Sequence, residues 1–96
     1  MAISFTKSVS SRLNQEIADI ESKILEQKKK KDKALLKINQ LEKDCKLSSS
    51  ASDLSSKMSR ISKLKEDIKK FSYLQRELSK ELAKKKSTLA QIPPAE

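Results

Sequence analysis

Apolar residues recur along this chain at alternating steps of four and three, in two stretches separated by a run of serines. Such heptad spacing lines one stripe along a helix and is the signature of coiled-coil packing. The first stripe comprises Leu13, Ile17, Ile20, Ile24, Gln27, Lys31, Ala34, Ile38, Leu41 and Cys45. The second comprises Leu54, Ile61, Leu64, Ile68, Phe71, Gln75, Leu78, Leu82, Lys85, Leu89 and Ile92. The pattern predicts two long helices.

The two stripes match when the chain is folded back so that facing residue numbers add to 102. Leu41 then faces Ile61, and the polar interruptions Gln27 and Gln75 also face each other. Polar residues in an otherwise apolar core penalise slipped alignments, so we expect Gln27 and Gln75 to hydrogen-bond and set the register. The fold class predicted is therefore all-α, an antiparallel coiled-coil hairpin.

Charged residues that flank the stripes agree with this fold-back. Residues that flank the seam on the same side of both helices should have numbers that add to 104. Three such pairs join opposite charges and none joins like charges: Asp44 with Arg60, Lys37 with Asp67, and Lys23 with Glu81. An exposed ion pair contributes only about 0.2–1 kcal/mol, so these pairs would select the register more than stabilise the fold.

Serines and prolines set the predicted boundaries. Serine side chains favour helix N-termini, which makes Ser4 or Ser8 the candidate cap of the first helix and Ser50 or Ser52 that of the second. Two consecutive prolines near the end stop the second helix. The predicted segments are a lead-in at 1–8, left open to join the first helix, a helical hairpin at 9–91 (helix 9–46, serine-rich turn 47–52, helix 53–91), and a proline-containing tail or linker at 92–96.

Composition supports long helices and few turns. The chain has no glycine, the residue that tight turns with positive φ usually require. The N-terminus lacks the apolar core of a signal peptide, and no stretch is apolar enough to span a bilayer. The single cysteine, Cys45, cannot form an internal disulfide, so a cytoplasmic location is predicted.

The residue types needed for catalysis are missing. Without histidine or glycine there is no Ser–His or Cys–His pair and no phosphate-binding loop. Carboxylates such as Glu16 and Asp19 fall on the outside of a rod, where no pocket is expected. The sequence predicts no enzyme, no catalytic residue, no cofactor, no metal site and no small-molecule substrate.

Some apolar residues lie outside the seam, on one side of the predicted hairpin. The candidates for a protein interface there are Leu25, Leu35, Met58 and Ala83. Serines and alanines line the rest of this side of the second helix, which would let another helix approach closely. We therefore expect either a protein partner or self-association, in which two hairpins would pair into a four-helix bundle.

Basic residues concentrate near the middle of the predicted rod. Lys and Arg outnumber Asp and Glu by 22 to 13, for a formal net charge of +9. The candidate polyanion contacts are Lys28, Lys29, Lys30, Lys31, Lys33, Lys69, Lys70 and Arg76. Binding of nucleic acid by such a collar would be non-specific and salt-dependent. The three aromatic residues, Phe5, Phe71 and Tyr73, are not expected to act as stacking platforms within the basic clusters.

Two family resemblances bear on function. The segment from Tyr73 to Glu77 fits a Tyr-x-x-x-acidic pattern, which resembles the export signal of small helical-hairpin proteins secreted by the bacterial type VII system. The Trp-x-Gly turn of those proteins is missing here. This resemblance implies secretion in place of a cytoplasmic location.

The pattern of residue types at 37–43, 47–50 and 56–68 resembles that of N-terminal hairpins in bacterial multidomain effectors. Examples are the effectors that carry Toll/interleukin-1 receptor-like domains in antiphage defence. The resemblance implies an oligomerisation or adaptor module and transfers no catalytic residue. The predicted function is thus a non-catalytic interaction module. A polyanion-binding module and a type VII partner are the alternatives.

Overall fold

Two α-helices account for nearly all of the chain. The computed structural model describes residues 2–92, and their side chains from residue 8 onward. Helix α1 spans Ala2–Leu47 and helix α2 spans Ala51–Gln91. They lie side by side in a rod of 74 × 14 × 13 Å. Because only residues 48–50 join two helices of this length, the second must run back along the first. The predicted all-α antiparallel helical hairpin is confirmed.

The first helix begins earlier than the sequence predicts. Residues 2–8, expected as a lead-in, form the first turns of α1. Ser4 and Ser8 therefore lie within the helix, and the prediction that one of them caps it is wrong. No glycine or proline interrupts this segment, and each residue added to an existing helix gains a backbone hydrogen bond. The predicted tail lies outside the described residues from position 93 onward.

The turn is shorter than predicted and is held by serine side chains. Ser50 has extended backbone angles (φ −89°, ψ 122°), and its Oγ accepts a hydrogen bond from the Asp53 N–H at 3.3 Å. Ser50 is thus the N-cap of α2, one of the two predicted candidates, while Ser52 lies inside the helix. The Oγ of Ser48 accepts from the Ser50 N–H, also at 3.3 Å. Removing a serine cap typically costs about 1 kcal/mol.

The core is a single seam between the helices. Every residue of the two predicted stripes is buried or half-buried. Among the side chains that the structure describes, five are buried, with exposed fractions of 5–8%: Leu13, Ile17, Ile20, Ala34 and Ile38. All five belong to α1, whereas α2 has no buried residue and its stripe is half-buried throughout. Two helices alone enclose only one line of contact, so the core is thin.

Lys57 also belongs to the seam, although it is not among the predicted seam residues. It lies three residues after Leu54 and four before Ile61, and it faces Cys45 in the register that adds to 102. Its half-buried side chain donates to the Asp53 carboxylate at 2.6 Å. This hydrogen bond, more than the nearby Asp44, raises the pKa of Lys57. The heptad spacing itself was the signal that could have located it.

Candidate interaction surfaces

Gln27 and Gln75 face each other in the seam, here called the glutamine layer, but they do not form the hydrogen bond that the sequence predicts. Gln27 and Gln75 are both half-buried, but no hydrogen bond joins their side chains. The Oε1 atom of Gln27 is buried without a partner. Because neither glutamine is fully buried, water competes for the remaining polar atoms and the pairing is not enforced. An unpaired buried acceptor typically costs about 1–3 kcal/mol.

A cross-helix ion pair closes the seam toward the open end of the hairpin. Lys85 faces Ile17, and its ammonium leaves the seam to donate to Oε2 of Glu16 at 2.8 Å. Arg12 approaches the same carboxylate at 4.0 Å. The hydrogen bond from Lys85 is the main cause that lowers the pKa of Glu16, while partial burial opposes it. This bond independently supports the register, since residues 16 and 85 lie at one level of the rod.

The predicted charge pairs along the flank do not form contacts. Among the described side chains, Asp44–Arg60, Lys37–Asp67 and Lys23–Glu81 are all farther apart than 4.0 Å. The register nonetheless brings Lys37, Arg60 and Asp67 to one shallow groove. Exposed long side chains gain little by ordering into a pair, because solvent screens the attraction and ordering costs entropy.

The predicted interface residues are exposed on one side of the rod, here called the apolar side: Leu25, Leu35, Met58 and Ala83. The exposed fractions are 51% for Leu25, 42% for Leu35 and 63% for Met58. Ala83 is also exposed. Met58 borders a shallow hollow on α2 with Ala51, Leu54 and Ser62. Along the axis of the rod, the apolar side extends about 37 Å from Ala83 to Met58, at a rise of 1.5 Å per residue.

The eight predicted cationic residues encircle the rod at one level and are here called the basic collar: Lys28, Lys29, Lys30, Lys31, Lys33, Lys69, Lys70 and Arg76. All are exposed except Lys31, which is half-buried in the seam. None has a carboxylate within 4.0 Å among the described side chains. Facing segments 26–33 and 69–76 hold eight cations against two carboxylates, Glu26 and Asp32, a local net charge of +6.

An aromatic residue lies within this collar, contrary to the sequence analysis. Lys69, Lys70, Tyr73 and Leu74 line one shallow hollow on the outer surface of α2. Tyr73 is 59% exposed. Residues three or four apart are neighbours on a helix surface, so Arg76 also lies beside this ring. That spacing was readable from the sequence. Phe71, by contrast, belongs to the seam and is half-buried.

Comparisons with protein-family models, curated proteins and solved structures give no match. The described residues contain no group of three or more His, Cys, Asp or Glu side chains that could hold a metal ion. Neither described helix contains a segment long and apolar enough to cross a membrane.

Proposed function

We propose that this chain is a non-catalytic protein-interaction module, in which the helical hairpin presents the apolar side to a partner helix. The observation that carries the proposal is the exposure of Leu25, Leu35 and Met58 along one side of a rod with little core. Scattered surface leucines need no explanation, but these three residues share one side of the rod.

The hairpin has a thin core and leaves more surface exposed than a compact protein of its size, which favours contact with a partner. The accessible surface is 7451 Å² for a chain of 10.9 kDa. A compact monomer of that mass exposes about 5600 Å² by the usual scaling with mass. The excess, roughly 1900 Å², is about twice what one partner contributes to a standard protein–protein interface.

Charge favours an acidic amphipathic helix as the occupant. By the register, Lys28, Lys69 and Arg76 of the basic collar lie along the apolar side, between the levels of Leu25 and Leu35. Pairing two copies in antiparallel fashion would bring two collars together, and the two chains each carry +9. A partner with leucines for the apolar contacts and glutamates at the collar would avoid that repulsion.

Nuclear magnetic resonance of the labelled protein tests this proposal with a defined probe. The probe is a synthetic amphipathic helix with leucines on one face and flanking glutamates; the matched peptide has lysines in place of the glutamates. We expect the acidic peptide, but not the lysine peptide, to shift the amide signals around Leu25, Leu35 and Met58. A triple variant, Leu25→Gln with Leu35→Gln and Met58→Gln, should abolish the shifts.

The control variant is Leu36→Gln with Leu47→Gln, which removes two exposed leucines from other parts of the surface. It should bind the acidic peptide as the wild type does. Sedimentation equilibrium gives the oligomeric state of each variant. A dimer abolished by the triple variant would replace the acidic helix with a second copy as occupant. A monomer that binds neither peptide would contradict the proposal.

A second candidate function is polyanion binding by the basic collar. The absence of carboxylate partners within 4.0 Å, among the described side chains, favours it, because such cations can neutralise phosphates without first breaking ion pairs. The resemblances to effector hairpins and to type VII partners stay predictions.

A further inference from the structure

We infer that the hollow around Tyr73 binds single-stranded nucleic acid, with the tyrosine ring stacked on one base and Lys69, Lys70 and Arg76 on neighbouring phosphates. The inference rests on the second candidate function, polyanion binding, and gives that function a ligand class and a central residue.

The geometry joins the two components of a sequence-independent single-strand site. Such sites combine positive charge along the backbone with an aromatic ring on which a base can stack. Lys69 and Lys70 line the same hollow as Tyr73. Arg76 follows on the next turn, so the three cations extend over about 10 Å of the helix surface. Glu77, four residues after Tyr73, already pairs with Lys80 at 3.3 Å.

Other arrangements of Tyr73 explain less. A tyrosine in a core packs its ring against neighbours, but this one is 59% exposed. The base pairs of a duplex are already stacked on each other, so a ring on the outside of a convex rod would reach only the duplex backbone. A single strand offers an unstacked base face together with closely spaced phosphates. The observations therefore favour a single strand over a duplex.

Tyrosine fluorescence offers a direct readout of the site. The chain has one tyrosine and no tryptophan, so all tyrosine fluorescence of the protein comes from Tyr73. Titration with short oligothymidylate and oligouridylate, at low and near-physiological salt, should quench that emission; comparing the two separates DNA from RNA. A duplex of the same length is the competing ligand. Fluorescence anisotropy of labelled strands measures affinity in parallel.

Variants separate the ring from the charges. Tyr73→Leu should weaken single-strand binding at least fivefold, which corresponds to about 1 kcal/mol, the lower end for one stacked base. Tyr73→Phe should retain the affinity. A plot of log K against the logarithm of the salt concentration should be less steep for the triple variant Lys69→Gln, Lys70→Gln and Arg76→Gln, by about 2 in slope. The matched triple Lys43→Gln, Lys46→Gln and Lys63→Gln, all exposed and closer to the turn, should change it less.

The outcomes distinguish this inference from its premise. Equal affinity for single strand and duplex, unaffected by Tyr73→Leu and without quenching, would overturn the role of Tyr73 and leave polyanion binding intact. No binding of either ligand at low salt would overturn both. Circular dichroism of each variant shows whether the hairpin remains folded, and quenching in the wild type decides the question without any substitution.

Discussion

The seam layers at Ala34 and Ile38 and the adjacent layers at Gln27 and Lys31 follow one heptad but are packed differently. Ala34 and Ile38 are each 5% exposed. A few residues earlier, Gln27 and Lys31 are only half-buried, and Oε1 of Gln27 has no partner. The same periodicity thus produces a tight block and a weak one.

The weak block coincides with the basic collar. Gln27 and Lys31 lie at the level where the facing segments 26–33 and 69–76 carry a net charge of +6. All four ion pairs found among the described side chains lie outside these segments. Polar seam residues and unbalanced charge both destabilise this level of the rod.

One substitution made in both blocks would test the contrast most strongly. Ile38→Ala should lower the free energy of unfolding by about 2–4 kcal/mol, since it leaves a cavity in a tightly packed layer. Ile24→Ala, in a half-buried layer near Gln27, should cost about half as much because it removes less buried surface. Urea denaturation measures both values. Equal losses would show that the two blocks are packed alike.

Replacing the glutamine layer should strengthen the weak block. Gln27→Leu with Gln75→Leu removes the unpaired acceptor and adds apolar contacts, and should raise the free energy of unfolding by about 1–3 kcal/mol. Amide exchange at residues 27–31 should slow in the variant. The exposed Asn39→Leu, as a control, should change stability by less than about 0.5 kcal/mol.

The glutamine variant should also lose some register specificity. Spin labels on the exposed Ser22 and Lys80, in a Cys45→Ala background, report the alignment of the helices. The wild-type seam should give one narrow distance distribution, and the variant a broader one. A stability that falls on replacement would mean that the two glutamines stabilise the hairpin.

The smallest expected effect is the pH dependence of the ion pair near the open end. The pKa of Glu16 is lowered in the folded state, chiefly by its hydrogen bond from Lys85. Its contribution is therefore present above the ordinary carboxyl pKa and is lost as the pH falls through the folded value. Between pH 6 and pH 3, Glu16→Gln should show a smaller loss of Tm than the wild type, by at most a few degrees.

Glu21→Gln is the matched control, because Glu21 is exposed and has no cation within 4.0 Å among the described side chains. It should follow the wild type. At the turn, the pKa of Asp53 is lowered mainly by the hydrogen bond from Lys57, so Asp53→Asn should behave like Glu16→Gln. The pKa of Lys57 is raised in the folded state, so its contribution to stability is present at acid and neutral pH and is lost as the pH rises into the alkaline range. Identical acid profiles for all variants would contradict this assignment.

The sequence alone determined the hairpin, the alignment of its helices and the identity of nearly every seam residue. Spacing of three and four residues fixes which side of a helix is apolar, and matching two such patterns fixes how the helices pair. It also limited the N-cap of α2 to Ser50 or Ser52, because a serine oxygen satisfies a free N–H there, and the structure selects Ser50.

Only the tertiary structure decided how side chains use that framework. It showed that the five buried residues from position 8 onward all lie on α1, that Lys85 reaches Glu16 while the predicted flank pairs stay apart, and that Tyr73 shares a hollow with Lys69. Periodicity specifies the direction in which a residue points. The partner that a long, flexible side chain reaches depends on rotamers, competing partners and access to water, all of which exist only once the two helices are assembled.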